Sequence, residues 1–362
     1  MKQQAIPFMQ IRGGTSKGIY FNKQDLPANE TLRNEVLLSA LGRDSTQNDG
    51  LGGANPLTSK VAIVSKSEKV GVDIDYLFVQ IVVGENRVDT SPNCGNILSG
   101  VGAFAIESGL IQAQIGTTTI KVNMQNSSNL CELVLPTPNG FIEYEGSAKI
   151  DGVQNSGAPI VCNYLDVAGS LCGSLFPTGN YIDEVDGINV TCIDNGMPVV
   201  LLKASDFGKS GYESCAQLSN DTNFKTKLES IRLQLGSKMN LGDVSQKVVP
   251  KMSLIAPPQA NGHISTRTFI PHNCHNSIGV LGAVSVATAM IYPTITQNIA
   301  KAPQDEDKKM ISVEHPSGQF TIELTTQIQN NQPQVIKAGL IRTARLLSRG
   351  ELFIPSSAIN QT

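Results

Sequence analysis

Asn93-Cys94-Gly95-Asn96-Ile97-Leu98-Ser99-Gly100-Val101-Gly102-Ala103 returns in the second half of the chain as Asn273-Cys274-His275-Asn276-Ser277-Ile278-Gly279-Val280-Leu281-Gly282-Ala283. Asn, Cys, Asn, Gly and Ala recur at the same offsets, and a proline lies just upstream each time (Pro92, Pro271). A run rich in apolar and small residues follows both copies, Ile97 to Ile106 and Ile278 to Ile291. A helix that is apolar on every side has no wet face, so each run predicts a helix threaded through the middle of a sheet layer. Cys94 and Cys274 are then placed at helix starts, where unpaired N–H groups and the helix dipole favour negative charge. Two such starts related by a pseudo-twofold axis would face one small ligand, an arrangement suited to moving a proton on carbon.

The repeat extends outward from these segments. Leu51-Gly52-Gly53 precedes Lys60-Val61-Ala62-Ile63-Val64, and Leu241-Gly242-Asp243 precedes Lys251-Met252-Ser253-Leu254-Ile255. Ile11-Arg12-Gly13-Gly14-Thr15-Ser16 is matched by Ile193-Asp194-Asn195-Gly196-Met197-Pro198, each a strand breaking into a glycine turn. Pro138-Asn139-Gly140 parallels Pro316-Ser317-Gly318, each expected to open a strand, at Phe141–Glu145 and from Gln319 to Leu324. The period is far too long for a solenoid and fits duplicated domains. The expected division is 1–155 and 156–345. Ile160–Leu165 is an extra strand ahead of the second copy, with no equivalent before Ile6. By the logic of the repeat, the C-terminal segment 346–362 would cross back to supply that strand, through Gly350–Pro355. Expected helices are Glu30–Leu41, Ile97–Ser108, Thr222–Leu235 and Ser277–Tyr292, among many short strands. The class is α+β, with two pseudo-symmetric strand-rich domains each wrapped around a buried central helix.

Composition sets the remaining bounds. A chain of 362 residues is long enough for two domains with a core each. The net charge of −3 and the lack of a basic tract argue against nucleic acid as a partner. No apolar run is long enough for a membrane span, and MKQQAIPFMQIRGG does not read as a signal peptide. Seven cysteines, an odd number without framework spacing, read as reduced thiols in a cytoplasmic protein. The oligomeric state stays open, a homodimer included.

A cysteine at a helix N-terminus can carry a depressed pKa and supply thiolate near neutral pH. Cys131, Cys162, Cys172 and Cys192 lie in or beside apolar strands and read as core. Cys94 and Cys274 differ, each lying between asparagines in a polar turn. Asn93 and Asn96 fit two roles equally, ligand hydrogen bonding or capping of the turn and helix. Lys60 leads from a polar turn into an apolar strand. Pointed at the helix starts it would lose pKa and serve as a neutral amine base; pointed outward it is a snorkelling surface lysine. Lys251 carries the same ambiguity. Gly13-Gly14-Thr15-Ser16-Lys17-Gly18 lacks phosphate-loop spacing, but the Thr15 and Ser16 hydroxyls suit a carboxylate. Gly100-Val101-Gly102 lies inside a helical run, so it is no dinucleotide fingerprint. His272, Cys274 and His275 have no second ligand cluster, so no metal is expected.

Arg12-Gly13-Gly14-Thr15-Ser16, Gly50-Leu51-Gly52-Gly53, Leu57-Thr58-Ser59-Lys60, Pro92-Asn93-Cys94-Gly95-Asn96, Gly242-Asp243-Val244, Pro271-His272-Asn273-Cys274-His275 and Glu314-His315-Pro316-Ser317-Gly318 together resemble the PrpF-type isomerases over nearly the whole chain. Thr191–Pro198 and Ile231–Gly236 are most similar to the branch acting on 4-oxalomesaconate. The resemblance implies a diaminopimelate-epimerase-like fold, an active site between two similar domains, and no cofactor. It carries the catalytic lysine and cysteine onto Lys60 and Cys94. It places Cys274 where two-cysteine epimerases keep their second acid–base group, either assisting or lining the site. The implied reaction is a proton shift in an unsaturated tricarboxylate. Helix-start N–H groups around Gly95-Asn96 and His275-Asn276 would hold carboxylates, with Thr15, Ser16, Arg267 and Ser277 as further anchors. The alternatives within the family are methylaconitate and methylitaconate as substrate. Outside it stand a symmetric two-cysteine amino-acid racemase, which would exchange an α-proton with solvent, and a silent tricarboxylate-binding protein, which would exchange none.

Overall fold

The structure, a computed structural model, describes residues 3–90, 94–127, 129–165, 167–300, 308–329 and 332–358. In chain order the strands are β1 (Gln4–Gly13), β2 (Ser16–Asn22), β3 (Lys60–Lys66), β4 (Ile74–Val82), β5 (Arg87–Asp89), β6 (Gly116–Met124), β7 (Asn129–Thr137) and β8 (Ile160–Leu165). They continue as β9 (Asp183–Val185), β10 (Ile188–Asp194), β11 (Pro198–Lys203), β12 (Lys251–Ala256), β13 (Ile264–Phe269), β14 (Lys308–His315), β15 (Gly318–Gln329), β16 (Gln332–Arg342) and β17 (Ala344–Ile354). The α-helices are α1 (Glu30–Leu41), α2 (Gly95–Glu107), α3 (Cys215–Asn220), α4 (Thr222–Lys238) and α5 (Val280–Ala289). Two compact units result, one of residues 1–163 with 342–362 and the other of residues 164–341.

In the first unit β1 and β2 pair antiparallel, β2 and β3 parallel, β3 and β4 antiparallel, β4 and β6 parallel, and β6 and β7 antiparallel. On the other edge β17 runs antiparallel to β1 from Gln4 opposite Ile354 to Gly13 opposite Ala344. The second unit repeats the alternation over β10, β11, β12, β13, β14 and β15. In both units one helix bridges the second and third strands of this series (α1, α4) and another follows the fourth (α2, α5). The duplicated sequence is thus a duplicated pairing scheme.

The two faces of the first sheet are told apart by period-2 alternation. Val61, Ile63, Val79 and Ile81 form one core with Val36, Leu37 and Leu41 of α1. The intervening residues therefore face α2, which is buried from Ile97 to Ala105. Glycines let this helix pass between strands. A methyl group at Gly100 would overlap the Tyr20 hydroxyl, and one at Gly102 would come within 2.8 Å of Leu135. Mid-helix glycine costs about 1 kcal/mol relative to alanine. Burial of Ile97, Leu98, Val101 and Phe104 contributes about 1.5–3 kcal/mol each, so packing outweighs propensity.

Three expectations fail in detail. Phe141–Glu145 forms no strand, and the chain there makes a single isolated bridge, Ala148 with Gly157. The expected Ser277–Tyr292 helix spans only Val280–Ala289, capped by Gly279 in an extended conformation. The first buried helix starts earlier than expected, at Gly95. No helix among the described residues is long and apolar enough to cross a membrane.

Candidate active site

Cys94 is the N-cap of α2, with extended backbone (φ −134°, ψ 98°) and a side chain that makes no capping hydrogen bond. Its carbonyl accepts from Leu98 N–H at 3.0 Å and from the Tyr76 hydroxyl at 3.3 Å, which fixes the helix start over β4. Among the described residues nothing accepts from the backbone N–H groups of Gly95, Asn96 or Ile97. Orphan N–H groups at a helix start are a ready anion site. Asn96 does not cap this helix; its side chain holds the β1–β2 turn. Its amide donates to Thr15 Oγ1 at 3.0 Å and its oxygen accepts from Thr15 N–H at 3.5 Å. Gly14 makes this approach achievable, since it has φ +53° and a Cβ there would overlap Asn96 Oδ1. Asn93 and the preceding Pro92 lie outside the described residues.

Ser16 sits opposite Gly13 in the β1–β2 hairpin and so shares the α2 face with it. The residue is 2% exposed and its buried hydroxyl has no hydrogen-bond partner among the described residues. An unsatisfied buried hydroxyl costs on the order of 1–3 kcal/mol, which marks the position as one awaiting a partner.

Lys60 opens β3 opposite Gly18, and its place in the alternation turns it to the α2 face. A Cβ at Gly18 would meet Ile97 of α2 at 2.9 Å and the Lys60 carbonyl at 3.0 Å. The lysine is 9% exposed and its Nζ donates to Gln80 Oε1 at 2.9 Å. Gln80 is locked in that orientation because its amide nitrogen donates to three carbonyls, of Pro56, Ser59 and Ile81. The Phe78 ring lies 4.9 Å from Nζ. Nζ is thus held by a neutral amide and a ring face, and no described carboxylate pairs with it. Gln80 and Tyr76 were missed from the sequence, although a glutamine between Val79 and Ile81 in an apolar strand was a visible signal.

The second unit departs from this plan. Cys274 is not at a helix start, because α5 begins six residues later. His275, Asn276 and Ser277 form a turn in which Ser277 N–H donates to His275 Nδ1 at 2.9 Å, a local bond that competes with helix formation. The N–H of His275 donates to the Thr268 carbonyl at 2.8 Å, so it is not available to a ligand. Asn276 is exposed, and Ser277 Oγ lies 3.4 Å from His315 Nε2. Cys274 is 8% exposed, and its thiol and that of Cys215 both point at the His275 carbonyl, at 3.9 and 3.4 Å. Burial, with the Cys215 thiol adding and Arg267 opposing, pushes the Cys274 pKa up to about 12. Arg267 commits Nε to the Glu213 carbonyl and Nη1 to the Thr266 carbonyl. Lys251 holds the position of Lys60 at the head of its strand, where burial and the neighbouring Arg232 charge bring its pKa down to about 8. Lys60, Cys94, Thr15, Ser16, Gly95 and Asn96 belong to one end of one unit; Cys274, Arg267, His275, Asn276 and Ser277 belong to the other unit. Among the described residues no three metal-ligating side chains come together.

Comparison with known proteins places this enzyme among the isomerases. The chain belongs to the PrpF family, whose model, described as PrpF protein, matches residues 3–355. It is 52% identical over 357 residues to 4-oxalomesaconate tautomerase of Pseudomonas putida, covering 98% of this chain and 97% of that one. It is 49% identical over 352 residues to (4E)-oxalomesaconate Delta-isomerase of a Novosphingobium species, covering 97% and 98%. The crystal structure of methylitaconate-delta-isomerase superposes with a TM-score of 0.88 at 28% identity, covering 100% of this chain and 98% of that one. The duplicated α+β fold is therefore shared along the whole chain.

Proposed function

We propose that this protein is a cofactor-independent tautomerase that shifts a proton in an unsaturated tricarboxylate, with 4-oxalomesaconate as the substrate. The observation that carries the reading is the grouping on the α2 face of the first unit. There a buried lysine and a buried hydroxyl, without a carboxylate and a hydrogen-bond partner respectively among the described residues, share one end of a sheet with a cysteine at an open helix start. Identity near 50% to two proteins named for oxalomesaconate supports the choice of substrate.

In this mechanism Lys60, as the neutral amine, removes a carbon-bound proton made acidic by conjugation to the carbonyl. The electron pair passes into the conjugated system as a dienolate. A proton returns to another atom of that system from the Cys94 thiol, and the Lys60 ammonium restores the thiol through solvent. The N–H groups of Gly95 and Asn96, with the Thr15 and Ser16 hydroxyls, hold the carboxylates and the developing oxyanion where donors are already oriented. A symmetric two-cysteine exchange loses its basis, because Cys274 has no helix start behind it and a pKa of about 12 keeps it a thiol.

Proton NMR in deuterium oxide, with 4-oxalomesaconate, methylaconitate and methylitaconate side by side, tests the proposal. The expected result is fast loss of the exchangeable C–H signal of 4-oxalomesaconate and slow or no change in the other two. No exchange in any of them, with binding intact, would refute a tautomerase.

A further inference from the structure

We infer that the second unit carries a reversible oxidation site, at which hydrogen peroxide joins the Cys215 and Cys274 thiols as a disulfide. Cys215 is the first residue of α3, whose start is fixed by the capping box of Ser214 and Gln217. Ser219 lies one turn further on and therefore on the same face of the helix. The Cys274–His275 segment runs along that face. The Cys274 N–H donates to Ser219 Oγ at 3.0 Å, and the Cys215 thiol points at the His275 carbonyl at 3.4 Å. The Cys274 thiol points at the same carbonyl oxygen at 3.9 Å. Two sulfurs thus converge on one acceptor. Side-chain rotation is the movement that brings them to bonding distance, about 2.05 Å.

Both segments are tied to β13. Arg267 Nε donates to the Glu213 carbonyl at 2.8 Å just ahead of α3. His275 N–H donates to the Thr268 carbonyl at 2.8 Å, and Cys274 bridges to Phe269. The two cysteines are therefore presented to each other from one strand rather than by two independent loops.

Exposure decides which cysteines an oxidant can use. Cys131 with Cys162, and Cys172 with Cys192, are also close enough for one thiol to raise the pKa of the other. All four are at most 1% exposed, which seals them from solvent. Cys215 is half-buried, whereas Cys274 is buried and its high pKa keeps it a thiol. Oxidation consequently begins at Cys215 and is completed by Cys274.

In the first step the Cys215 sulfur attacks the peroxide. An S–O bond forms, the O–O bond breaks, and the departing oxygen takes the thiol proton and leaves as water. In the second step the Cys274 sulfur displaces the oxygen of the Cys215 sulfenic acid. The S–S bond forms, the S–O bond breaks, and the hydroxyl leaves as water with the Cys274 proton. The two thiols together give up two electrons and two protons, and one peroxide becomes two waters. A dithiol reverses the change by exchange, entering at the exposed Cys215 sulfur.

The test uses the full-length protein, reduced, treated with hydrogen peroxide, blocked with iodoacetamide, digested without reductant and read by mass spectrometry. The expected product is a peptide pair joined through Cys215 and Cys274, lighter than the two free peptides by two hydrogens. It should come from the monomer band of a non-reducing gel and be lost on treatment with dithiothreitol. In Cys274→Ser, shown to be folded by circular dichroism, dimedone should label Cys215 as a sulfenic acid left without a partner thiol. Cys215 carried on to sulfinic acid in wild type, with Cys274 alkylated, overturns the site. A linkage of Cys274 to Cys94, or to a second copy of the chain, does the same. So does recovery of both cysteines in alkylated form after peroxide treatment.

Discussion

The two halves share a strand-pairing scheme but not a chemistry. In the first unit the third strand delivers Lys60 to a neutral glutamine, and the following helix begins directly behind Cys94. In the second unit the same strand delivers Lys251, but Arg232 crowds it, and five residues separate Cys274 from its helix. Duplication therefore preserved what the core demands, namely alternation, register and a buried helix. The helix start differs between the halves, because in the second the His275 side chain accepts the Ser277 N–H and holds a turn there. On this account the first unit supplies the proton-moving groups.

Several variants would break or sharpen that contrast. Lys60→Ala should have the largest effect, about a thousandfold loss of turnover, as for removal of a positioned general base. Steady-state rates on 4-oxalomesaconate would show it, and undiminished turnover would remove Lys60 from the mechanism. Gly14→Ala comes next. It forces φ +53° on alanine, costing about 1–2 kcal/mol, and it displaces Asn96 from Thr15. Turnover should fall up to about 100-fold, the scale of a 1 Å misplacement, with a lower melting temperature.

Ser16→Ala should raise KM about tenfold, equivalent to one hydrogen bond to a charged group. Because the hydroxyl has no partner among the described residues, the melting temperature should hold or rise; a clear drop would make Ser16 structural. Lys251→Met should leave turnover nearly unchanged and act on stability alone. With a folded pKa of about 8 below the unfolded value of 10.5, the buried charge destabilises the fold below pH 8. That penalty fades between pH 8 and 10.5, where only the unfolded chain remains protonated. The variant should thus be more stable by about 2 kcal/mol at pH 7, with the margin vanishing by about pH 10.5 in denaturant titrations.

The sequence made the fold legible because buried helices and paired strands leave periodic, apolar signatures. The place of Cys94 at a helix start could be read for the same reason, whereas the direction of Lys60 stayed open in the strand pattern and its role came from the resemblance. What the repeat hid was the second helix start. Asn273-Cys274-His275-Asn276 looks like its counterpart, yet the His275 side chain captures the Ser277 N–H and holds the chain in a turn until Gly279. A one-letter match records residue type and not which hydrogen bond wins. Arg267 was read from its charge alone; two of its donors go to backbone carbonyls, partners that no side-chain pattern reveals. Gln80 stood out as a polar residue in an apolar strand, but its role needed the register, which puts it opposite Lys60.

The most direct measurement compares turnover of Cys94→Ala and Cys274→Ala on 4-oxalomesaconate under identical conditions. Both cysteines come from the same repeated motif; the resemblance puts the catalytic cysteine at Cys94 and leaves Cys274 assisting or lining the site, and the structure sets Cys94 alone at a helix start. The account predicts a loss of at least about 100-fold for Cys94→Ala, the scale of a lost general acid, and less than about threefold for Cys274→Ala. Equal losses in two folded variants would contradict it and restore a two-cysteine mechanism.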